Sequence, residues 1–376
     1  MPISCRYKVE HGTQFCVTDC PAASPCGVFR YARVEHPEDV PPVDEMAIDV
    51  AVLDMNHGWP NLGHDSLVHA VLDQGCDLLP VFRETGLHVR VLSFDVRRSA
   101  IIPEPPGGRF SLYLGTGGPG HLDPRRNDGV SVGAQGLTED ARWETPFFSL
   151  LDRIQEDDGA ALLGVCHTFG VLCRWSGAAR PTLRGEEKGG KRSGVLENVL
   201  TPEAGTHPWF RRFAEELPDH RHLRVVENRL FDLVPDDATF SGSIVPIGRE
   251  GDGDGGSGAQ PVTMLEFARD RKGVMPRVFG VNHHPEIVDR ERQRMILEQK
   301  RERGEVTPTF YSERLEALTR NYPDENSDQR LHLTSDYTLL APLRFHVQRA
   351  LRTRAEDLGL SVDVHEDRLL EAAGVA

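Results

Sequence analysis

The chain is short of several things, and each shortage removes a class of function. No apolar run in its 376 residues approaches the roughly 20 residues needed to cross a bilayer. The opening Met1-Pro2-Ile3-Ser4-Cys5-Arg6 lacks the apolar core of a secretory signal, so the expected location is the cytoplasm, with no membrane partner. Positive charge is scarce. Against 58 Asp and Glu stand 43 Lys and Arg, a formal charge of −15, which argues against nucleic acid or an anionic lipid surface as a partner. Seven cysteines, an odd number, do not make a disulfide framework in a chain of this size. The run Gly115-Thr116-Gly117-Gly118-Pro119-Gly120 has neither the Lys-Ser/Thr of a P-loop nor the spacing of a dinucleotide fingerprint. No cofactor is therefore expected.

What is present centres on Ala161-Leu162-Leu163-Gly164-Val165-Cys166-His167-Thr168-Phe169-Gly170-Val171-Leu172. A short apolar run of strand type breaks near Gly164, offers a cysteine, and resumes with helical spacing. In outline this is a nucleophile elbow, a tight strand-to-helix turn that lifts one side chain above the sheet edge. A thiol placed there sits at a helix N-terminus, where unpaired N–H groups favour its anion, the form that attacks carbonyl carbon. A buried structural cysteine in a βα unit is the alternative.

A second stretch, Arg277-Val278-Phe279-Gly280-Val281-Asn282-His283-His284-Pro285-Glu286, runs an apolar strand into His-Pro-Glu. In an extended segment residues two apart project to the same side, and Pro285 favours extended backbone at His284. Glu286 can then orient the ring of His284, and that ring can take the proton of Cys166. Nucleophile, base and orienter together make the logic of a catalytic triad.

With these pieces in hand the chain resembles the class I glutamine amidotransferase family over roughly residues 45–290. Gly-Thr-Gly-Gly-Pro-Gly at 115–120 looks like the family's oxyanion loop, Gly164-Val165-Cys166 like its elbow, and His284-Pro285-Glu286 like its closing motif, in the family's order. The resemblance implies a triad of Cys166, His284 and Glu286, and an oxyanion hole of backbone N–H groups near Gly117 and Gly118. It implies cleavage of the side-chain amide of glutamine or a γ-glutamyl compound through a thioester, with a synthetase partner receiving the ammonia. No synthetase domain is expected within the chain, because 291–376 is too short for one. The family usually has a Gln shortly after the cysteine that helps to hold glutamine. Here His167, Thr168, Phe169 and Gly170 follow, with no Gln in the matching place. His167 and Thr168 are candidate substrate contacts, although a histidine at a helix start more often caps or faces solvent. A Cys-His pair at the elbow also looks like the DJ-1/PfpI relatives, and a non-catalytic binding protein on the same fold is the other alternative.

Around these motifs the sequence predicts an α/β fold, a doubly wound, mainly parallel sheet with helices on both faces, flavodoxin-like in its amidotransferase domain. Strands are expected at 47–54, 88–95 and 110–114, with helices at 66–74 and 143–156. Three β-type runs follow, at 223–234, 243–247 and 262–267. His57 and His121 fall in strand-end loops and read as surface histidines. The glycine-rich segment 184–195 reads as a solvated loop in which Lys191 or Arg192 meets a substrate carboxylate only as the lesser reading. Gly251–Gly258 reads as a hairpin tip rather than a calcium loop.

The ends are read separately. Residues 1–44 are expected to form an irregular arm and a proline-rich linker. Cys5, Cys16, Cys20 and Cys26 there lack paired zinc-ligand spacing, so no metal is expected. Residues 291–376 are expected to form a helical C-terminal extension, with a short helix at 309–320 and a polar break at 321–330. The apolar stripe Leu339, Leu343, Val347, Ala350 and Leu351 should pack on the core.

Overall fold

The computed structural model describes residues 5–10, 13–18, 27–186, 190–235, 243–251, 260–321, 325–364 and 370, with backbone alone for 5–10, 13–18, 319–321 and 325–328. Its strands are β1 (Cys5–Glu10), β2 (Thr13–Thr18), β3 (Phe29–Val34), β4 (Ala47–Asp54), β5 (His88–Asp95), β6 (Phe110–Gly115), β7 (Ala161–Val165), β8 (Arg180–Leu183), β9 (Arg192–Leu200), β10 (His222–Arg229), β11 (Phe231–Val234), β12 (Val245–Glu250), β13 (Val262–Arg269) and β14 (Pro276–Val281). The helices are α1 (Leu62–Asp77), α2 (Leu79–Thr85), α3 (Val96–Ser99), α4 (Glu144–Glu156), α5 (His167–Ser176), α6 (Phe210–Glu216), α7 (Arg290–Glu302), α8 (Pro308–Asn321), α9 (Glu325–Ser335) and α10 (Ala341–Asp357).

One sheet runs in the order β1-β2-β3-β5-β4-β6-β7-β14-β13-β12-β9-β10. Its centre, from β3 across β5, β4, β6 and β7 to β14, is parallel throughout. The two flanks are antiparallel. The central strands β4, β5, β7 and β14 are buried along their whole length, as a parallel sheet with both faces covered requires. Alternate residues divide between the faces. Val50, Val52, Leu112 and Leu114 pack with Leu67 and Val71 of α1 and Leu343 and Val347 of α10. Ala51, Leu53, Phe110 and Tyr113 pack on the other side with Phe147 and Leu151 of α4 and Phe169 of α5. The doubly wound centre and the three strands expected between 47 and 114 are therefore present, and α1 is longer than the expected 66–74 because Asn61 caps it, accepting a hydrogen bond from Gly63 N–H at 2.6 Å.

Three expectations give way. The segment before Asp44 is not an irregular arm. β1–β3 extend the sheet, and Phe29 and Val34 of β3 lie in its core. The side chains of the N-terminal cysteines lie outside the described residues, as does most of Gly251–Gly258. The run 223–234 is two strands in two sheets, because the chain turns at Leu230 and β11 leaves to pair with β8. That turn buries Arg229 between Glu227, Asp232 and Glu250. Finally, the expected polar break at 321–330 contains most of α9. The apolar stripe behaves as expected: Leu339, Leu343, Val347 and Leu351 are buried in the core, with Ala350 packed at its margin.

Candidate active site

β7 ends at Val165 and α5 begins at His167, which leaves Cys166 to make the turn alone, with φ 48° and ψ −97°. A non-glycine residue in that left-handed region costs on the order of 1–3 kcal/mol and persists only where its surroundings hold it. Two bonds hold it. The Cys166 N–H donates to Val281 O at 2.7 Å, and the Cys166 carbonyl accepts from Gly170 N–H at 3.0 Å. Val281 is the last residue of β14, three positions before His284. The bond that fixes the elbow therefore also ties it to the strand that delivers the imidazole.

His284 is fixed from both ends. Its N–H donates to Val226 O at 2.8 Å, and its ring Nδ1 lies 2.8 Å from Glu286 Oε1. The pairing is reached by a turn rather than by the extended segment expected from the sequence. Pro285, Glu286 and Ile287 form a single 3-10 turn, with proline in the first position, where its missing N–H costs nothing. Glu286 is buried against the first turn of α1, so close that a Cβ on Gly63 would come within 2.6 Å of its Oε1. Ser335, the last residue of α9, donates its hydroxyl to Pro285 O at 2.6 Å and locks the turn from behind.

The two adjacent histidines titrate in opposite directions. Burial works against charge on His284, but the carboxylate of Glu286 and the sulfur of Cys166 outweigh it and push the ring up to about 10. Its Nε2 makes no full hydrogen bond. The sulfur acts on it through charge at close range. His283 is pushed down to about 3 by burial and by its charged neighbour, and neither of its ring nitrogens has a hydrogen-bond partner.

The glycine loop after β6 comes to the same point. A Cβ on Gly117 would lie 3.0 Å from His284 Cε1 and 3.5 Å from the Cβ of Cys166. A Cβ on Gly118 would overlap Met55 O at 2.2 Å. The loop thus runs beside the Cys166 and His284 side chains as bare backbone, which is what donors aimed at a substrate oxygen need.

His167 is not at the solvent edge. It is buried, lines the cavity beside Cys166, and is kept neutral by burial first and by Arg97, against a bond to the Gly118 backbone. Thr168, expected as a substrate contact, is fully buried and donates to Thr116 O at 2.8 Å. It joins the elbow helix to the glycine loop and does not line the cavity. His121 is also no surface residue. Its ring packs edge-on to Phe231 at 4.6 Å, and burial and Arg126 push it down to about 4. His57 is half-buried, with φ 55°, outside the cavity wall.

In front of Cys166 lies a cavity of about 270 Å³. Cys166, His167, His284 and Gly118 form one wall. Lys191 lines it, as the lesser sequence reading had it, whereas Arg192 is taken up by Glu227 and Glu250. The opposite wall, Phe310, Arg314, Ala317 and Leu318 of α8, was not foreseen. Their spacing was a signal: one helical face of the predicted 309–320 helix mixes an arginine with apolar residues, and such a face suits a site better than a core.

No family model and no curated protein matches this chain. Among solved structures, it is similar to a glutamine amido transferase from Methylobacillus flagellatus at 13% identity and a TM-score of 0.40, covering 85% of this chain and 98% of that one. It is also similar to a Thermoplasma acidophilum protein provisionally described as one component of a GMP synthase, at 13% identity and a TM-score of 0.36, over 69% and 98% of the two chains.

Proposed function

We propose that this protein is a cysteine hydrolase that cleaves the side-chain amide of glutamine or a γ-glutamyl compound through a thioester. The observation that carries the reading is the strained turn at Cys166, φ 48°, set against an imidazole whose far nitrogen is held by Glu286. Strain of this kind is retained where it presents a reacting atom.

The Cys166 sulfur, as its anion, adds to the amide carbonyl carbon, and the carbonyl electrons move to oxygen beside the Gly117-Gly118 backbone. His284, protonated at neutral pH because Glu286 and the sulfur hold its charge, gives its Nε2 proton to the departing nitrogen as the C–N bond breaks. Ammonia or an amine leaves, and a thioester remains. Water then attacks that thioester, His284 takes a proton from it, and the C–S bond breaks to restore the sulfur anion and release a carboxylic acid. Positioned proton transfer of this sort contributes about 10²–10⁴-fold.

The test is release of ammonia or amine from glutamine and a set of γ-glutamyl amides by the purified protein, and by Cys166→Ser. We expect turnover with at least one amide and a loss of roughly 10³-fold or more in the variant, with the fold retained. No turnover of any amide, together with no labelling of Cys166 by a thiol-directed glutamine analogue, would favour a binding protein instead. Activity that survives His284→Ala would favour a thiol protein of the DJ-1/PfpI kind.

A further inference from the structure

We infer that the substrate of this site is an amide carrying a carboxylate and an apolar portion larger than glutamine has, with Lys191 and Arg314 receiving the carboxylate and the inner face of α8 receiving the apolar portion. This rests on the hydrolase reading above and narrows its substrate.

The first observation is the way α8 is docked. One side of it is held by α7: the Tyr311 hydroxyl bonds to Glu298, and the Arg301 guanidinium lies 4.5 Å from the Tyr311 ring centre. Phe310, Arg314, Ala317 and Leu318, on the adjoining face, line the cavity. The apolar stripe of this helix is thus turned toward the space in front of Cys166. Three of its side chains are half-buried with a void beside them.

The second is the charge at that void. Nearby, Arg229 of the cavity wall and its neighbours Arg184 and Arg192 are each matched to Glu227, Asp232 or Glu250. Among the described residues, no carboxylate lies within ion-pair distance of Lys191 or Arg314, and Glu313 reaches Arg314 only at longer range. Arg314 lies instead over the Phe310 ring, 5.2 Å from its centre. Lys191 is held below its usual range by burial first and by Arg314 as a like charge, with the Cys166 sulfur opposing both. Carboxylates are plentiful in a chain of net charge −15, yet among the described residues none pairs with either cation here. Two like charges left facing one void repel each other until an anion arrives between them.

The third is the glutamine side of the pocket. Gly170 stands in the stretch where the family's glutamine-holding Gln would be sought. A Cβ there would meet the Leu122 side chain at 2.5 Å, and Leu122 itself lines the cavity. At this position the wall presents the hydrocarbon of Leu122 and no side-chain amide. A cavity of about 270 Å³ is close to the lower end of the roughly 300–1,000 Å³ that hold drug-sized ligands.

The experiment uses three probes on the full chain: γ-glutamyl anilide, its α-methyl ester and glutamine. Hydrolysis is followed in the wild type and in the Lys191→Gln/Arg314→Gln double variant, and binding to Cys166→Ser is followed by calorimetry. The expected result is that the wild type prefers the anilide acid over its ester by roughly 10- to 100-fold, the worth of a charge-assisted bond or two. The acid should also bind Cys166→Ser more tightly than glutamine does. In the double variant the preference should collapse through KM while kcat holds. Equal handling of acid and ester, a preference that survives the double variant, or equal binding of glutamine and anilide would each overturn the inference. Selective binding of the acid to Cys166→Ser without hydrolysis by the wild type would sink the hydrolase reading and leave this recognition standing. No binding of any probe would sink the recognition itself.

Discussion

The two walls of the cavity are built on opposite plans. The wall that carries Cys166, His284 and Glu286 is made from the ends of the parallel strands β6, β7 and β14, with the first turn of α1 behind it. In it the Cys166 backbone is tied to Val281 and Gly170, the His284 backbone to Val226, and the His284 ring to Glu286. Its glycines stand so close to neighbours that Gly118 could not carry a single carbon without meeting Met55 O at 2.2 Å. The wall across from it is one face of α8, partly open to solvent, held along its flank by α7 and carrying Arg314, which no carboxylate among the described residues matches within ion-pair distance. On the proposed function the difference is a division of labour. Strain and buried backbone hold the atoms proposed to react; the wall proposed to select the ligand presents side chains that can be exchanged without disturbing the sheet.

The comparison is broken most directly at Gly118. Gly118→Ala forces the loop away from Met55 O and from the Arg97 guanidinium bonded to it, 3.2 Å from the added carbon. Overpacking of backbone against backbone costs typically about 1–3 kcal/mol, so the variant should show a lower melting temperature and lose nearly all turnover, because the loop it moves lies against the side chains of Cys166 and His284. A variant of wild-type stability and activity would show that this wall is softer than its contacts imply.

How much of this was legible beforehand follows the same division. Strands with period-two or continuous apolar patterns, such as Ala47–Asp54 and His88–Asp95, carry their own signal, and so does a cysteine between a strand pattern and a helix pattern. The Cys166, His284 and Glu286 set was legible because each member lies at the end of such an element. β1–β3 were missed because they are short, polar and proline-flanked, and they read as strands only once β5 offers an edge. The role of Thr168 was misread since nothing in sequence tells whether a hydroxyl beside an elbow turns outward or, as here, back to Thr116 O at 2.8 Å. The α8 wall was missed for a related reason: a helix face can be apolar toward a core or toward a void, periodicity alone does not distinguish them, and the arginine on that face was the one hint.

A pH titration of stability sharpens the comparison next. His284 is raised from the ordinary histidine value of 6.5 to about 10, so the folded protein keeps a proton that the unfolded chain sheds above pH 6.5. By linkage, the stabilisation from this ring is whole below pH 6.5 and drains away as the pH climbs through about 10. Melting temperatures measured between pH 6 and 10 should fall with pH in the wild type, and the fall should be shallower in Glu286→Gln, which removes the carboxylate that holds the charge. An equal slope in the two proteins would mean that other groups set the alkaline limit. On the α8 side, Phe310→Ala should leave the melting temperature nearly unchanged and raise KM about threefold to tenfold with kcat intact, as steady-state kinetics on a γ-glutamyl anilide would show. A fall in kcat instead would place α8 in the catalytic geometry and erase the distinction between the walls.

The smallest expected effect concerns the residue next to the base. His283 is 1% exposed and neither ring nitrogen has a partner among the described residues, so there the fold bears the desolvation of two polar atoms without a hydrogen bond in return. Replacing such a group by an apolar one of similar shape is close to neutral or stabilising. His283→Phe should therefore raise the melting temperature slightly, by the equivalent of about 1 kcal/mol or less, provided the larger ring is accommodated beside His284. A second readout separates packing from charge. The ring is pushed down to about 3, so below pH 6.5 the unfolded chain gains a proton that the folded chain refuses, and stability is lost as the pH falls. The buried His346, likewise pushed down to about 3, contributes a slope of the same sign. His283→Phe should remove one share of that acid slope and leave the alkaline slope of His284 in place. If the substitution instead abolishes turnover while the protein stays folded, the unpaired nitrogens of His283 serve the reaction, and the catalytic wall holds one more working group than Cys166, His284 and Glu286.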